Sequence, residues 1–401
     1  MKKLTDFVVF NDRNLGRRYA NSPIPMSVLY EAYLDGDIDI PGDIYELLDE
    51  RSRLVKYTLT PAHFKWALTN FLPEATIHSK SQDKRIVREH YDRGNDFFSW
   101  FLGERMVYTS GFFLNRNETL EQAQDNKMHL VCQKLRLKPG EKLLDIGCGW
   151  GTLARHAAKY YGVDATGVTI SENQTEFGNR RIKEWGLEDR ARILCCDYRD
   201  IPFQKYDKIV SLEMVEHVGV KNLKSEFFSW VKDLLKDEGL FLLQWTGLRR
   251  QLKSETLIWG LFMAKYIFPG ADASLPPAAM LKPAEEVGWE TFSVENVSQH
   301  YGWTIRRWHD NWLSNKADVI NAYGERWFRL WHIFLAWSTK IADQGNASCY
   351  QVVFNKNIDA FDRTQHILDR GVIHGVRTNG IEAPRPVAVA GSNGNGAYAA
   401  E

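Results

Sequence analysis

Hydrophobic and polar positions follow two rhythms along this chain. Between residues 141 and 245, short apolar runs alternate with stretches whose apolar positions recur every three or four residues. The runs predict strands at Lys142–Ile146, Asp164–Val168, Ala191–Leu194, Lys208–Leu212 and Gly239–Gln244, with helices between them, the first from Thr152 to Tyr161. Alternation of this kind builds a parallel sheet covered by helices on both faces. Upstream, Leu120, Ala123, Met128, Val131 and Leu135 share one helical face, which predicts a helix from Thr119 to Leu135 stopped by Lys138-Pro139-Gly140. Downstream, a helix is predicted at Gly324–Ala342 and a last strand at Ser348–Asn355.

The flanks break the rhythm. Residues 1 to 75 predict a small N-terminal domain, with a strand-to-turn at Phe7–Asp12 and a short helix at Ser27–Tyr33. Residues 76 to 356 predict the main domain. Its core is 141–247, an aromatic-rich helical cap lies at 248–320, and the final helix and strand occupy 324–356. Residues 357–401 form an extension whose composition, from about Glu382 onward, cannot bury enough apolar surface to order itself. The acids of Asp35–Asp43 miss the spacing of a calcium loop and predict a solvated turn. No metal site is expected.

Composition narrows the function. Lys plus Arg and Asp plus Glu both total 51, so no net charge draws the chain to nucleic acid. Five cysteines without CxxC spacing suggest neither disulfides nor zinc, which fits a reducing cytoplasm. The apolar run Leu257–Ala264 is too short to span a bilayer, so attachment to a membrane is expected to be peripheral at most. Aromatic residues make up 13% of the chain, with 14 tryptophans among them, and they crowd toward its last third. They predict a large core, an apolar channel or a membrane-facing lip. A homodimer is compatible with all of this.

The chemistry begins at Leu143-Leu144-Asp145-Ile146-Gly147-Cys148-Gly149-Trp150-Gly151, a buried strand breaking into a glycine turn. Gly147, Gly149 and Gly151 free the backbone to turn and let a ligand approach without meeting a Cβ. A nucleotide-type cofactor belongs at such a strand end. No acid ends the second strand, where a dinucleotide site wants one; the third ends in Asp197, able to accept from an adenine amino group. Asp145 can indirectly hold a ligand ammonium. A ligand with adenosine at one end and an amino acid at the other fits better than a nicotinamide dinucleotide.

These residues resemble the Rossmann-like class I methyltransferases that use S-adenosylmethionine, and more narrowly the cyclopropane fatty acid synthase and mycolic acid methyltransferase family. The motifs are the DIGCGWG run, Val168–Gln174, Asp197–Asp200, Glu216-His217-Val218-Gly219 and Lys265–Gly270. Within that family the chain is similar to sphingolipid C-methyltransferases through Met106–Gly111, Leu257–Phe262, Phe268–Ser274 and Tyr323–Trp331. Those proteins carry an N-terminal membrane segment, and none is visible in this sequence. The resemblance implies an α/β fold: a seven-stranded, mostly parallel sheet with helices on both faces, a helical cap insertion and the small N-terminal domain. It further implies that Tyr108, Thr109 and Gly147 hold the methionine end of the cofactor. Thr169 and Gln174 would meet the ribose, and Asp197 and Tyr198 the adenine.

Methylation of an alkene leaves a carbocation, which demands a dry site, charge stabilisation and a base. The cyclopropane synthases hold a bicarbonate ion as base. Their anion-binding positions correspond to Ser110, Glu216, Gln244, Thr246 and Phe334, of which only Glu216 keeps the family's residue type. Bicarbonate is therefore not expected, and proton loss should leave a methyl-branched alkene rather than a cyclopropane. Glu216 is the leading base or cation stabiliser, with His217 beside it, Glu213 able to share the site, and Tyr301 where the family lines its acceptor pocket. The expected function is C-methylation of a lipid or other long apolar acceptor. The alternatives are a small soluble acceptor such as an isoprenoid or amine, a true cyclopropane synthase, or a binding protein without activity.

Overall fold

The computed structural model describes residues 2–61, 63, 94–219, 222–269 and 275–359. The boundary expected near residue 75, the segment Val87–Arg93, part of Phe268–Ser274 and the C-terminal tail lie outside the described residues.

Seven strands form the central sheet: β1 (Lys142–Ile146), β2 (Asp164–Thr169), β3 (Ala191–Cys195), β4 (Tyr206–Leu212), β5 (Leu235–Leu248), β6 (Trp289–Asn296) and β7 (Ala347–Lys356). Their order is β6-β7-β5-β4-β1-β2-β3. The five strands from β3 to β5 are parallel to their neighbours, while β7 runs antiparallel to both β5 and β6. Strand period sends Leu143 and Leu144 to cores on opposite faces. The sheet order reverses between β1 and β4, the position where open α/β sheets leave a crevice at the strands' carboxyl ends.

The helices used below are α1 (Met26–Asp35), α2 (Asn95–Leu102), α3 (Leu120–Lys134), α4 (Thr152–Tyr161), α5 (Glu172–Glu184), α6 (Ser254–Tyr266), α7 (Gln299–Ser314) and α8 (Glu325–Asp343). Thr119 caps α3 through a reciprocal capping box with Gln122, as its sequence favours. None of the described helices is long and apolar enough to cross a membrane.

Two expectations need correction. The span assigned to the cap contains β6, an edge strand hydrogen-bonded to β7. Only Trp289 of β6 is buried, so its period-two signal is faint amid the aromatic residues around it. The N-terminal segment also has no core of its own. Leu29, Tyr30, Leu34, Leu47 and Leu48 join one continuous core with Trp308, Trp312 and Trp331 of α7 and α8. Most tryptophans of the last third are core residues, and a few line a cavity described below.

The acidic turn at Asp35–Asp43 is ion-paired instead of simply solvated. Asp35 meets Arg326, and Asp39 meets Arg329 at 2.6 Å. Arg329 also donates to the Tyr33 and Ile38 carbonyls at 2.9 and 3.2 Å, joining the N-terminal layer to α8. Removing the guanidinium leaves both carbonyls without this donor. Arg329→Ala should cost roughly 2–3 kcal/mol in urea denaturation, and Arg329→Lys should recover less than half, since one ammonium cannot reach the same three acceptors.

Candidate functional site

Two cavities meet at the carboxyl ends of the central strands. The first is an open cleft of about 1170 Å³ over β1, β2, β3 and β4. All nine residues expected to bind the cofactor line it: Tyr108, Thr109, Asp145, Gly147, Gly149, Thr169, Gln174, Asp197 and Tyr198. The second, of about 1190 Å³, lies under the cap and has a mostly apolar wall that includes Trp259, Met263, Phe268, Ile305, Trp308 and Phe334. Tyr108, Glu213 and His217 belong to both walls.

The glycine turn is built differently from its sequence-based reading. A Cβ on Gly147 would stand 2.5 Å from Met214, and one on Gly151 would stand 2.6 Å from Ile193. Those glycines make room for the protein's own packing. Gly149 alone of the three faces open space, at φ +55°. Thr169 donates to the Gln174 side-chain carbonyl at 2.6 Å, which leaves the amide nitrogen for the cleft. This hydroxyl–amide pair suits a sugar's vicinal hydroxyls. Asp197 accepts from the Arg199 backbone at 2.9 Å and from its guanidinium at 2.8 and 2.7 Å. It is therefore both a strand-end cap and part of the cleft wall.

Lys127 was not singled out in the sequence, although it falls on the buried stripe of α3, seven residues from Leu120. Its ammonium bonds the Thr109 hydroxyl. Burial pulls its pKa down to about 8, against the opposing pull of Glu213, Cys349 and Asp145. Burial likewise raises Asp145 to about 7, with Lys127 acting to lower it. A charge at an apolar helix position was the available signal.

Between the cavities stand two carboxylates. Glu216 accepts from the Thr246 backbone N–H at 2.7 Å through Oε1, while its buried Oε2 has no protein partner. Burial, and then the charge of Glu213, push its pKa up to about 8. Glu213 is bonded on both oxygens: Gln244 donates to Oε1 and Tyr301 to Oε2, each at 2.5 Å. The Ser110 backbone N–H also donates to it. Burial still leaves its pKa above the usual value. His217 is lowered to about 4 by burial, so its imidazole is neutral. Tyr301 is driven far upward by burial and by Glu213, so it stays a donor.

The expected acceptor or anion pocket divides in two. Thr246 and Phe334 line the second cavity, but Ser110 and Gln244 are buried behind Glu213 and serve it. The sequence reading placed them in the open wall because it gave Glu213 only a secondary place.

Two contrasts test this construction. Gly147→Ala should cost roughly 2–4 kcal/mol of stability from overpacking and left-handed strain, measured by denaturant unfolding. Gly149→Ala should cost about 1 kcal/mol and weaken ligand binding in the cleft at least tenfold by calorimetry. For Glu216, a folded pKa of about 8 against an ordinary 4.5 means that ionisation costs stability as pH rises through that window. Glu216→Gln should therefore raise Tm by about 3–8 °C at pH 8.5 and by under about 1 °C at pH 5.

The model of the mycolic acid cyclopropane synthetase family matches residues 78–352. A sphingolipid C9-methyltransferase of Komagataella phaffii is 48% identical over 373 residues, covering 90% of this chain and 76% of that one. Among solved structures, the cyclopropane synthase MmaA2 of Mycobacterium tuberculosis superposes with a TM-score of 0.65 at 29% identity, covering 68% of this chain and 98% of that one. The mycolic acid cyclopropane synthase CmaA1 complexed with SAH and CTAB also gives 0.65, at 28% identity, covering 70% and 100%. With its sheet order, its glycine turn and its paired cavities, the chain belongs to the mycolic acid cyclopropane synthetase family and is a methyltransferase.

Proposed function

We propose that this enzyme transfers the methyl group of S-adenosylmethionine to a carbon–carbon double bond of a sphingoid-type long-chain lipid, leaving a methyl-branched alkene. The observation that carries the reading is the junction: a polar cleft and an apolar cavity share Tyr108, Glu213 and His217, with Glu216 in the apolar wall. The sphingolipid assignment draws on the 48% identical relative.

The cleft residues fit the cofactor by their donor set. Thr169 and Gln174 would offer a hydroxyl and an amide to the ribose, Asp197 and Tyr198 would hold the adenine, and Asp145 would hold the ammonium indirectly. Tyr108, Thr109, Gly147 and Gly149 would hold the methionine end. When bound, S-adenosylmethionine supplies an electrophilic methyl that needs no activation by a base. The protein's work is to align the acceptor, keep water out and handle charge. Trp259, Phe268, Trp308 and Phe334 give a long apolar chain a dry wall, and burial of such a chain contributes about 0.8 kcal/mol per methylene. An acceptor carbon left positive beside Glu216 and Glu213 meets negative charge in a medium where Coulomb attraction is weakly screened. Glu216 then takes the proton. Its Oε2 has no competing donor, and a pKa near the working pH suits a base.

Incubation of the full chain with methyl-labelled cofactor and matched unsaturated and saturated sphingoid lipids tests this. Label should enter the unsaturated lipid only, and Glu216→Gln should lower kcat by about 10²–10⁴-fold. Label found in soluble amines, with none in any lipid, would sink the reading.

A further inference from the structure

Glu213 occupies a slot designed for an anion. It follows the tip of β4 with φ +55°, one of three non-glycine residues at positive φ among those described. The left-handed conformation is unfavourable for a residue with a Cβ, and it persists only where surroundings enforce it. Here the Glu213 N–H is tied to the Gln244 carbonyl at 2.8 Å. That bend places the carboxylate among the Gln244 amide, the Tyr301 hydroxyl, the Ser110 N–H and, at 3.7 Å, the Cys349 thiol.

The polarity of the slot is set from the far edge of the sheet. Lys134 donates to the Gln351 carbonyl oxygen at 2.5 Å and is ion-paired with Glu295. Gln351 in turn donates to the Gln244 carbonyl oxygen at 2.8 Å. An ammonium can only donate, so it turns both amides the same way and points the last N–H at Glu213. Glu295, Gln351 and Gln244 are register partners across β6, β7 and β5. The row fixes the Gln244 amide as a donor into the slot, beside the Ser110 N–H, and a carboxylate there receives both.

We propose that Glu213 is a catalytic residue: a tethered anion filling a slot that would otherwise take a small free oxyanion, whose fixed charge stabilises the acceptor cation and keeps Glu216 basic. The inference rests on the alkene reading above. In the proton-loss step an acceptor C–H bond breaks, its electron pair becomes the new π bond and the proton goes to Glu216 Oε2. Glu213 forms no bond and keeps its charge. The groups facing the pair are Lys127 from α3, Asp145 from β1, Tyr301 from α7, Cys349 from β7 and His217 from the Val215–His217 turn.

The test uses Glu213→Gln and Glu213→Gly in the full chain, assayed with an unsaturated sphingoid lipid, with and without formate or bicarbonate. Glu213→Gln keeps the shape and removes the charge. Its kcat should fall at least about 30-fold while cofactor KM stays within about threefold, and the acid limb of its pH profile should move about one unit lower as Glu216 loses its neighbour's charge. Glycine accepts φ +55° without strain, so Glu213→Gly should fold and be nearly inactive, and millimolar formate or bicarbonate should restore its rate at least about tenfold. Neither anion should help Glu213→Gln, which leaves no room, nor Glu216→Gln. The proposal is overturned if Glu213→Gln stays within about threefold of the parent kcat with an unmoved pH profile, or if folded, cofactor-binding Glu213→Gly ignores both anions. A parent enzyme that methylates no alkene refutes the function itself, a separate outcome.

Discussion

Negative charge buried at the seam between two cavities is the constraint the rest of this structure answers. An ion removed from water costs several kcal/mol unless donors replace its hydration. Two carboxylates side by side make the problem worse, because each raises the cost of ionising the other. The protein resolves it asymmetrically. Glu213 receives the side-chain donors and Glu216 only backbone N–H, so the pair is driven apart in proton affinity. Such a division is what acid–base chemistry on an apolar substrate needs.

Each layer of the fold supplies part of that answer. The parallel strands bring β1 and β4 together at the sheet's reversal, which fixes the turns that carry Gly147 and Glu213. The antiparallel addition of β7 and β6 does more than widen the sheet. It carries the amide row that orients Gln244. The cap helix α7 contributes Tyr301, and the shared core beneath α7 and α8 holds that helix against the N-terminal layer. A site residue on a packed helix can be held more tightly than one on a free loop.

Much of this was legible beforehand. The first strand and the helix after it coincide with their sequence-based limits, because parallel strands write themselves as continuous apolar runs. That the residues named for the cofactor would share one cleft was equally readable, since most of them sit at strand ends whose positions the runs determine. What stayed hidden depends on contacts distant in sequence. Gln244 looked like an open-wall residue because nothing local reveals that Gln351 and Lys134 orient it. The left-handed turn at Glu213 leaves no trace in composition. The β6 edge was lost because one buried tryptophan in eight residues does not make an alternation.

The common wall of Tyr108, Glu213 and His217 also limits how such an enzyme can diversify. A change of bulk there would reshape the polar cleft and the apolar cavity together. The far side of the apolar cavity, at Trp259, Met263 and Phe334, has no part in the cleft wall. Substitutions at those positions can reshape the apolar cavity while the polar cleft keeps its lining.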